Sequence, residues 1–211
     1  MKTEQLVAAL VEDRAGSTRS LGRSLLVAAA AGSVVSLAIF AVEFGPRIDL
    51  MAAFATWRFD LKLVLVFAAL VAAFAACRAM ARPVPSTSWR VLVQGTALLA
   101  AAALVVELVA VPAEAWRPRL VGSNAVICLT TIPLFALAPL AVLLVAMRRT
   151  APSSPGWAGA AAGALAAAVA ATIYAFHCFD DSPLFVLTWY PLAALPVIGV
   201  AAIAGHRLLR W

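Results

Sequence analysis

The chain has 211 residues, of which 64% are hydrophobic and 12% are charged, and its mean hydropathy is +0.99. Soluble domains are about half apolar and a quarter charged, so this composition is typical of membrane proteins. The net charge of +6 does not indicate nucleic-acid binding. The basic residues are scattered in short clusters between apolar segments and form no patch interleaved with aromatic side chains.

Six apolar segments are long enough to cross a membrane. A bilayer core of about 30 Å needs about 20 apolar residues in helical form. The segments that meet this need lie at about 24–43, 61–81, 91–112, 124–147, 156–177 and 184–205. They leave no room for a soluble catalytic domain. The sequence therefore predicts an all-α polytopic membrane protein, in which six transmembrane helices form a bundle (24–211) behind an N-terminal tail (1–23).

The basic residues predict the orientation of this bundle. With six spans both termini share one side, and eleven of the sixteen lysines and arginines fall on that side. Cytoplasmic loops carry the positive excess, so we expect both termini in the cytoplasm and the protein in a bacterial inner membrane. The tail before the first span contains Glu4, Glu12 and Asp13 and lacks a convincing cleavage site, which favours a retained first span over a signal peptide.

The N-terminal tail contains a short amphipathic pattern. Its apolar residues recur at helical spacing: Leu6, Val7, Leu10 and Val11. We expect Thr3 to cap this helix and Gly16 to end it. A helix of about ten residues is marginal alone in water. It would be stabilised by docking its apolar face on a partner or on the membrane, and the alternative is a solvated tail.

Small residues and prolines mark several spans. Gly159 and Gly163 are spaced for close helix packing in the fifth segment. Four prolines interrupt the fourth and sixth segments: Pro133, Pro139, Pro191 and Pro196. Broken helices can line transport sites, although membrane helices tolerate proline readily. Glu107 is the one acidic residue that lies appreciably inside a span, and it is close to the outer end, so a small transporter is the weaker hypothesis.

The reactive groups gather in the stretch "YAFHCFDDSPLFVLTWY", residues 174–190. Cys178 ends the fifth span, and Cys128 lies near the same outer end of the fourth. Because the fourth and fifth spans are joined by one short loop, we expect these two cysteines to approach each other. They would then form a disulfide, bind a soft metal ion, or simply pack in the core. Cys77, at the other end of the second span, is expected to be a reduced packing residue.

Neighbouring polar groups offer accessory ligands for a metal. The candidates are His177, Asp180 and Asp181, with Glu43 and Glu107 at comparable depth. The run from Asp180 to Pro183 has a second explanation, since Asp or Ser can cap the sixth helix with Pro in its first turn. The chain has no nucleophile elbow, phosphate-binding loop or zinc-protease motif. We therefore expect no enzyme. A membrane thiol-disulfide oxidoreductase is the alternative, but it would ordinarily need a second cysteine pair.

Several stretches taken together resemble a known family. They are "MKTEQLVAALVED", "CLTTIPLFALAPL", "RRTAPSSPGWAGAAAGALAA", the stretch 174–190 and the closing "HRLLRW". In this order they resemble the NrsF-type family of six-span membrane anti-sigma factors, the negative regulators of sigma F. The resemblance covers nearly the whole chain.

The resemblance implies a function for both ends of the molecule. The cytoplasmic tail, through Leu6, Val7, Leu10 and Val11, would hold an extracytoplasmic-function (ECF) sigma factor at the membrane. Cys128 and Cys178 would sense metal or oxidative stress, with transient binding of a heavy-metal ion, and cause release of the sigma factor. No cofactor is required for this function. The expected partners are the sigma factor and the lipid bilayer, without direct binding of nucleic acid.

Overall fold

The computed structural model describes the backbone of residues 3–210 and the side chains of residues 21–210. Within this range the chain is helical, without a strand. The α-helices are α1 (Thr3–Glu43), α2 (Leu50–Ala53), α3 (Trp57–Met80), α4 (Trp89–Ala110), α5 (Trp116–Val121), α6 (Ala125–Met147), α7 (Pro155–Ala175) and α8 (Pro183–Leu208). A 3-10 turn, Ala113–Ala115, precedes α5.

Six helical segments are long and apolar enough to cross a membrane, which confirms the predicted spans. They are Leu21–Glu43 within α1, and the whole of α3, α4, α6, α7 and α8. Trp57 and Trp89 are the first residues of α3 and α4, as expected for aromatic side chains at a membrane interface.

The first helix is longer than predicted. α1 runs through Gly16 without interruption, so the prediction that Gly16 ends a separate short helix was wrong. A glycine inside a helix costs only about 1 kcal/mol relative to alanine. The adjoining span supplies the nucleus that a short isolated helix lacks, so helix propagation past the glycine is favourable. The side chains of the predicted contact face (Leu6, Val7, Leu10, Val11) lie outside the described residues.

The centre of the bundle is α7, which packs against α8, α3 and α6. Its small residues allow α8 to approach closely, because a Cβ added at Gly159 would lie 2.2 Å from the carbonyl oxygen of Ala201. A Cβ at Gly163 would lie 2.6 Å from the Cβ of Ala201. The predicted close packing at these two glycines is therefore confirmed. In contrast, α4 lies at the edge of the bundle, mainly against α3.

The prolines do not break the helices. Both α6 and α8 continue through their two internal prolines, so the predicted interruptions were wrong. Pro139 has no N–H to donate to the carbonyl of Phe135 one turn earlier. The hydroxyl of Ser36 on α1 donates to that carbonyl instead, at 2.7 Å. Gly32 packs directly on Pro139, which brings α1 close enough for this hydrogen bond.

The alternating helices give the bundle two ends with different contents. Segments 44–56, 111–124 and 176–182 meet at one end, which we call the cysteine end. Segments 81–88 and 148–154 and the last turn of α8 lie at the other, which we call the arginine end. The predicted cytoplasmic position of the arginine end stays a prediction.

Candidate functional site at the cysteine end

Arg47 joins the segment after α1 to the segment after α7. Its backbone N–H donates to the carbonyl of Phe176 at 3.0 Å. Its buried guanidinium donates to the carbonyl of Cys178 at 3.3 Å and to the carboxylate of Asp181 at 2.8 Å. The same guanidinium forms two hydrogen bonds with Asp49, which raise the pKa of Arg47 and keep it charged. One arginine thus ties α1 to the backbone on both sides of His177.

Lys62 lies on α3, and its side chain is fully buried. Its ammonium donates to the carbonyl of Cys178 at 2.7 Å and to the carboxylate of Asp181. A buried ammonium is tolerated only where a carboxylate and further acceptors replace its hydration, and this site supplies both. Asp181 is therefore shared between Lys62 and Arg47, and the Cys178 carbonyl accepts hydrogen bonds from both cations.

A fully buried carboxylate lies beside the partly exposed carboxylate of Asp181. Glu107 of α4 is fully buried and accepts from Arg58 at 2.9 Å and from Arg119 at 3.1 Å. It also accepts from the hydroxyl of Ser182 at 2.9 Å. Asp181 is the carboxylate of the first site, and the next residue, Ser182, binds the carboxylate of the second. Adjacent residues of the segment 176–182 therefore take part in both sites. Arg58 and Lys62 are one turn apart on α3, so a single helix face supplies a cation to each site.

Asp180 caps a helix other than the one predicted. Its carboxylate accepts from the backbone N–H of Asn124 at 2.8 Å, the backbone N–H of Ser123 at 3.0 Å and the Asn124 side-chain amide at 2.9 Å. Asn124 is the N-cap residue of α6, so the carboxylate of Asp180 binds the N-cap residue and the residue before it. Ser182 occupies the N-cap position of α8 but makes no capping hydrogen bond, because its hydroxyl is bound to Glu107. The predicted side-chain cap of α8 was wrong, whereas Pro183 is the first residue of α8 as predicted.

The contacts of Asp180 place the two cysteines at one site. Cys178 lies two residues before Asp180, and Cys128 lies in the first turn of α6, which Asp180 caps. Both thiols are free, fully buried and part of the same core cluster, close enough to interact electrostatically. Burial raises the pKa of Cys178, and the nearby ammonium of Lys62 opposes this effect only in part. The Cys178 thiol is therefore neutral at neutral pH.

The predicted accessory ligands are each engaged elsewhere. The Nδ1 of His177 lies 3.0 Å from the carbonyl oxygen of Gly45, and its ring packs edge-on against Phe40 and Phe44 of α1. Asp180 and Asp181 bind as described above, and Glu43 is exposed. Among side chains of residues 21–210, no three or more His, Cys, Asp or Glu groups gather to hold a metal ion. A role for these residues as metal ligands stays a prediction.

Sequence reasoning missed several residues of this site. It gives Arg47 and Lys62 no function beyond the count of basic residues, although Lys62 is one of two lysines among the sixteen lysines and arginines. Tyr174 and Tyr190 bracket the quoted stretch and are the only tyrosines of the sequence. Both are buried, and both hydroxyls lie near Cys178 without a hydrogen-bond partner of ordinary geometry.

Cys77 lies away from this site. It is buried on α3 fifteen residues after Lys62, or about 22 Å along the helix axis. Its Sγ lies 3.9 Å from the Sδ of Met147, near the arginine end. This position agrees with its predicted role as a reduced packing residue.

Comparisons with known proteins place the chain in a family. The model of the family described as NrsF, negative regulator of sigma F, matches residues 10–211. The Anti-sigma-F factor NrsF of Caulobacter vibrioides (strain NA1000 / CB15N) is 29% identical over 214 residues, covering 100% of both chains. The Probable anti-sigma-F factor NrsF of Azospira oryzae (strain ATCC BAA-33 / DSM 13638 / PS) is 31% identical over 85 residues, or 40% of this chain and 38% of that protein. No solved structure matches the chain. With its six long apolar helices and a family match over nearly its whole length, the chain belongs to the NrsF family of negative regulators of sigma F.

Proposed function

We propose that this protein is a membrane-bound anti-sigma factor that sequesters an ECF sigma factor and releases it when Cys128 and Cys178 react with a metal ion or an oxidant. The observation that carries the anti-sigma function is the alignment over the full length of both chains with a protein named as an anti-sigma-F factor. The six spans place such a regulator in a membrane. Its action is then to keep the sigma factor away from RNA polymerase.

The N-terminal part of α1 is the proposed sigma-factor contact. The apolar positions Leu6, Val7, Leu10 and Val11 share one side of a helix by their spacing. An amphipathic helix that presents such a stripe docks in an apolar groove of a partner. The short loops between the other spans offer no comparable segment.

The two buried thiols are the proposed sensor. A divalent metal ion M²⁺ would react with two thiols to give M(S–R)₂ and two protons. Hydrogen peroxide would instead oxidise two thiols to a disulfide and would itself be reduced to two molecules of water. Both reactions need access to thiols that are fully buried. The segment 176–182 must therefore move, and Lys62 and Arg47 hold that segment in place.

A direct connection from the sensor to the tail supports this proposal. Cys178 lies in the segment 176–182, which is hydrogen-bonded to Arg47. Arg47 itself lies four residues after the end of α1. α1 then runs back across the bundle as one helix, and Gly32 and Ser36, near the middle of its membrane span, hold it against α6. Rearrangement at Cys178 would thus change the position of the helix that carries the tail. The stimulus favours one of two arrangements in proportion to its difference in affinity for them.

The competing functions have less support. A thiol-disulfide oxidoreductase would need a second dithiol to pass on its electrons, and Cys77 is the one remaining cysteine, at the other end of α3. A transporter was suggested by broken helices, and α6 and α8 are continuous.

The first experiment is purification of the tagged protein from its native membrane, before and after exposure to cadmium or an oxidant. We expect a sigma factor to co-purify at rest and to be lost on exposure. Retention of the sigma factor throughout would keep the anti-sigma function and contradict the sensing function. If no sigma factor co-purifies, the anti-sigma proposal fails.

Cysteine variants separate sensing from sequestration. Cys128→Ser and Cys178→Ser should retain the sigma factor both before and after exposure, because repression remains while the sensor is removed. Cys77→Ser is the matched control, since it replaces an equally buried thiol at the other end of the bundle. It should release the sigma factor as the native protein does.

Tail variants test the contact face. Leu6→Asp with Leu10→Asp should release the sigma factor without any stimulus, because two carboxylates replace the apolar stripe. Gln5→Asp with Ala9→Asp is the control, with the same spacing on the other side of the helix. Equal sigma-factor binding by the two double variants would remove this face from the interface.

A further inference from the structure

A groove between α3 and α4 opens on the outside of the bundle. Its lining includes Val64, Phe67 and Val71 of α3 and Val91, Leu92 and Gly95 of α4. The side chains of Val71 and Val91 are 54% and 69% exposed, so no described part of the chain covers the groove. Its volume is about 570 Å³, within the range of about 300–1,000 Å³ that is usual for ligand sites.

The groove is apolar along its length. Thr96 is the one polar side chain in its lining, and its hydroxyl donates to the carbonyl of Leu92 within α4, at 2.8 Å. The lining therefore requires no polar partner, and a hydrocarbon chain matches its chemistry. α4 is the least buried of the six spans and packs mainly against α3. An occupant of the groove would extend the contact between these two helices.

Two buried N–H donors lie at the arginine end of this groove. The Nε of Arg82 and the Nε1 of Trp89 are buried, and neither has a hydrogen-bond acceptor among the described residues. Arg82 follows Val71 by eleven residues, about three helical turns, and Trp89 precedes Thr96 by seven residues, about two turns. Each donor thus lies on the groove side of its helix. Native proteins pair nearly all buried polar groups, so these two donors indicate a missing acceptor.

The charges around the two donors favour an anion. The guanidinium of Arg90 lies 5.9 Å from the centre of the Trp89 ring. Residues 21–210 place eight arginines and no carboxylate at this end of the bundle. A phosphate supplies negative charge and acceptor oxygens, and basic pockets between transmembrane helices bind anionic lipid headgroups. An anionic phospholipid combines this phosphate with the hydrocarbon chain that matches the groove.

We propose that the groove binds one anionic phospholipid, whose acyl chain lies between α3 and α4 and whose phosphate accepts hydrogen bonds from Arg82 and Trp89. The lipid then ties α4, the least buried span, to α3. The two donors lie at the opposite end of the bundle from Cys128 and Cys178. The lipid site is therefore independent of the proposed sensor.

The test is native mass spectrometry of the purified full-length protein in detergent, titrated with phosphatidylglycerol or with phosphatidylcholine. One phosphatidylglycerol should bind more tightly than phosphatidylcholine, because the arginines repel the choline cation. Arg82→Met and Trp89→Phe should each weaken phosphatidylglycerol binding about tenfold or more, since each removes a hydrogen bond to a charged group. Arg149→Met is the matched control. It removes an exposed cation from the same end of the bundle but outside the groove, and it should keep the native affinity.

A second variant tests the position of the acyl chain. Gly95→Leu places a side chain in the groove, and because a Cβ at Gly95 meets nothing within 4 Å, the fold should be kept. Phosphatidylglycerol binding should be lost. Gly199→Leu on α8 is the control, since a Cβ at this position also meets nothing within 4 Å, and it should bind the lipid as the native protein does.

Several results would overturn the proposal. Equal affinity for the two lipids, or native affinity in both donor variants, would exclude a phosphate site at Arg82 and Trp89. Displacement of the lipid by inorganic phosphate, together with native affinity in Gly95→Leu, would show an anion site that does not use the groove. A dimer of the native protein that Gly95→Leu abolishes would mean that a second copy of the chain occupies the groove.

Discussion

The cysteine end and the arginine end of the bundle are held together by different interactions. All ion pairs among the described side chains lie at the cysteine end: Arg47–Asp49, Arg47–Asp181, Lys62–Asp181, Arg58–Glu107 and Arg119–Glu107. At the arginine end, residues 21–210 contribute eight arginines and no carboxylate. That end is closed by backbone proximity instead, since Gly159 of α7 lies against Gly205 of α8.

This difference separates two kinds of response. A buried ion pair depends on both partners, so a change in one charge or in the backbone near it opens the site. Contact between glycines has no such dependence on charge or ligands. The cysteine end is thus suited to change its packing in response to chemistry, whereas the arginine end is suited to hold α7 and α8 together while this happens. Three predictions follow from this contrast.

The largest expected effect comes from removing the buried ammonium of Lys62. Lys62→Met keeps the length of the side chain but leaves the Cys178 carbonyl without one donor and Asp181 with Arg47 alone. Breaking a buried pair in this way costs about 3–5 kcal/mol of unfolding free energy. Thermal unfolding in detergent would measure the loss, and alkylation of Cys178 should become faster because the segment 176–182 is released.

Two further variants give this prediction its controls. Arg149→Met removes an exposed cation at the arginine end and should change stability by no more than about 0.5 kcal/mol. Adding Asp181→Asn to Lys62→Met should restore part of the loss, since it removes the excess negative charge. If Lys62→Met and Arg149→Met unfold alike, the buried ion pair does not stabilise the cysteine end.

A smaller effect is expected from Gly159→Ala at the arginine end. The added Cβ would lie 2.2 Å from the Ala201 carbonyl oxygen, so α7 and α8 must separate. Overpacking of this kind costs about 1–3 kcal/mol. Gly199→Ala is the matched control on α8, because its Cβ would meet nothing within 4 Å. Thermal unfolding of both variants checks the prediction. Equal stability of the two would show that close contact at Gly159 does not hold this end together.

Gly159→Ala should also separate stability from sensing. Because its effect lies at the arginine end, alkylation of Cys178 in the folded protein should stay at the native rate, in contrast to Lys62→Met. Faster alkylation in Gly159→Ala would mean that the two ends are not independent.

The six spans could be predicted from sequence because the bilayer imposes a length on every apolar helix. The alternating direction of the helices then places Cys128 and Cys178 at one end. The chain crosses the membrane an even number of times between the loop after α1 and each of these cysteines. The close packing of Gly159 was predictable from its spacing with Gly163 alone. These features depend on local composition and on the number of membrane crossings between two positions.

The partners of the charged residues could not be predicted in this way. Arg47 and Asp181 are 134 residues apart, and Lys62 and Cys178 are 116 residues apart. No periodicity links such positions, and three loops must be placed together before any pairing can be assigned. The cap formed by Asp180 shows the same limit. A capping residue was expected to serve its own helix, α8, whereas the packed loops bring it to α6.

The smallest expected effect concerns the acid sensitivity of the cysteine end. Asp49 is about half exposed, and two hydrogen bonds from Arg47, at 2.6 and 2.8 Å, lower the pKa of its carboxyl group. Because the folded-state pKa lies below the unfolded value of about 3.9, the stabilisation is fully present above that value. It is lost as the pH falls through the folded-state pKa. The native protein should therefore unfold at a slightly higher temperature than Asp49→Asn above about pH 4, and this difference should vanish at lower pH.

Thermal unfolding of both proteins across this pH range provides the measurement. The control is Asp60→Asn, which replaces an exposed aspartate in the first turn of α3. A difference that persists in strong acid would mean that Asp49 stabilises the fold without its charge. The ion pairs that stabilise the cysteine end would then be those of Asp181 and Glu107.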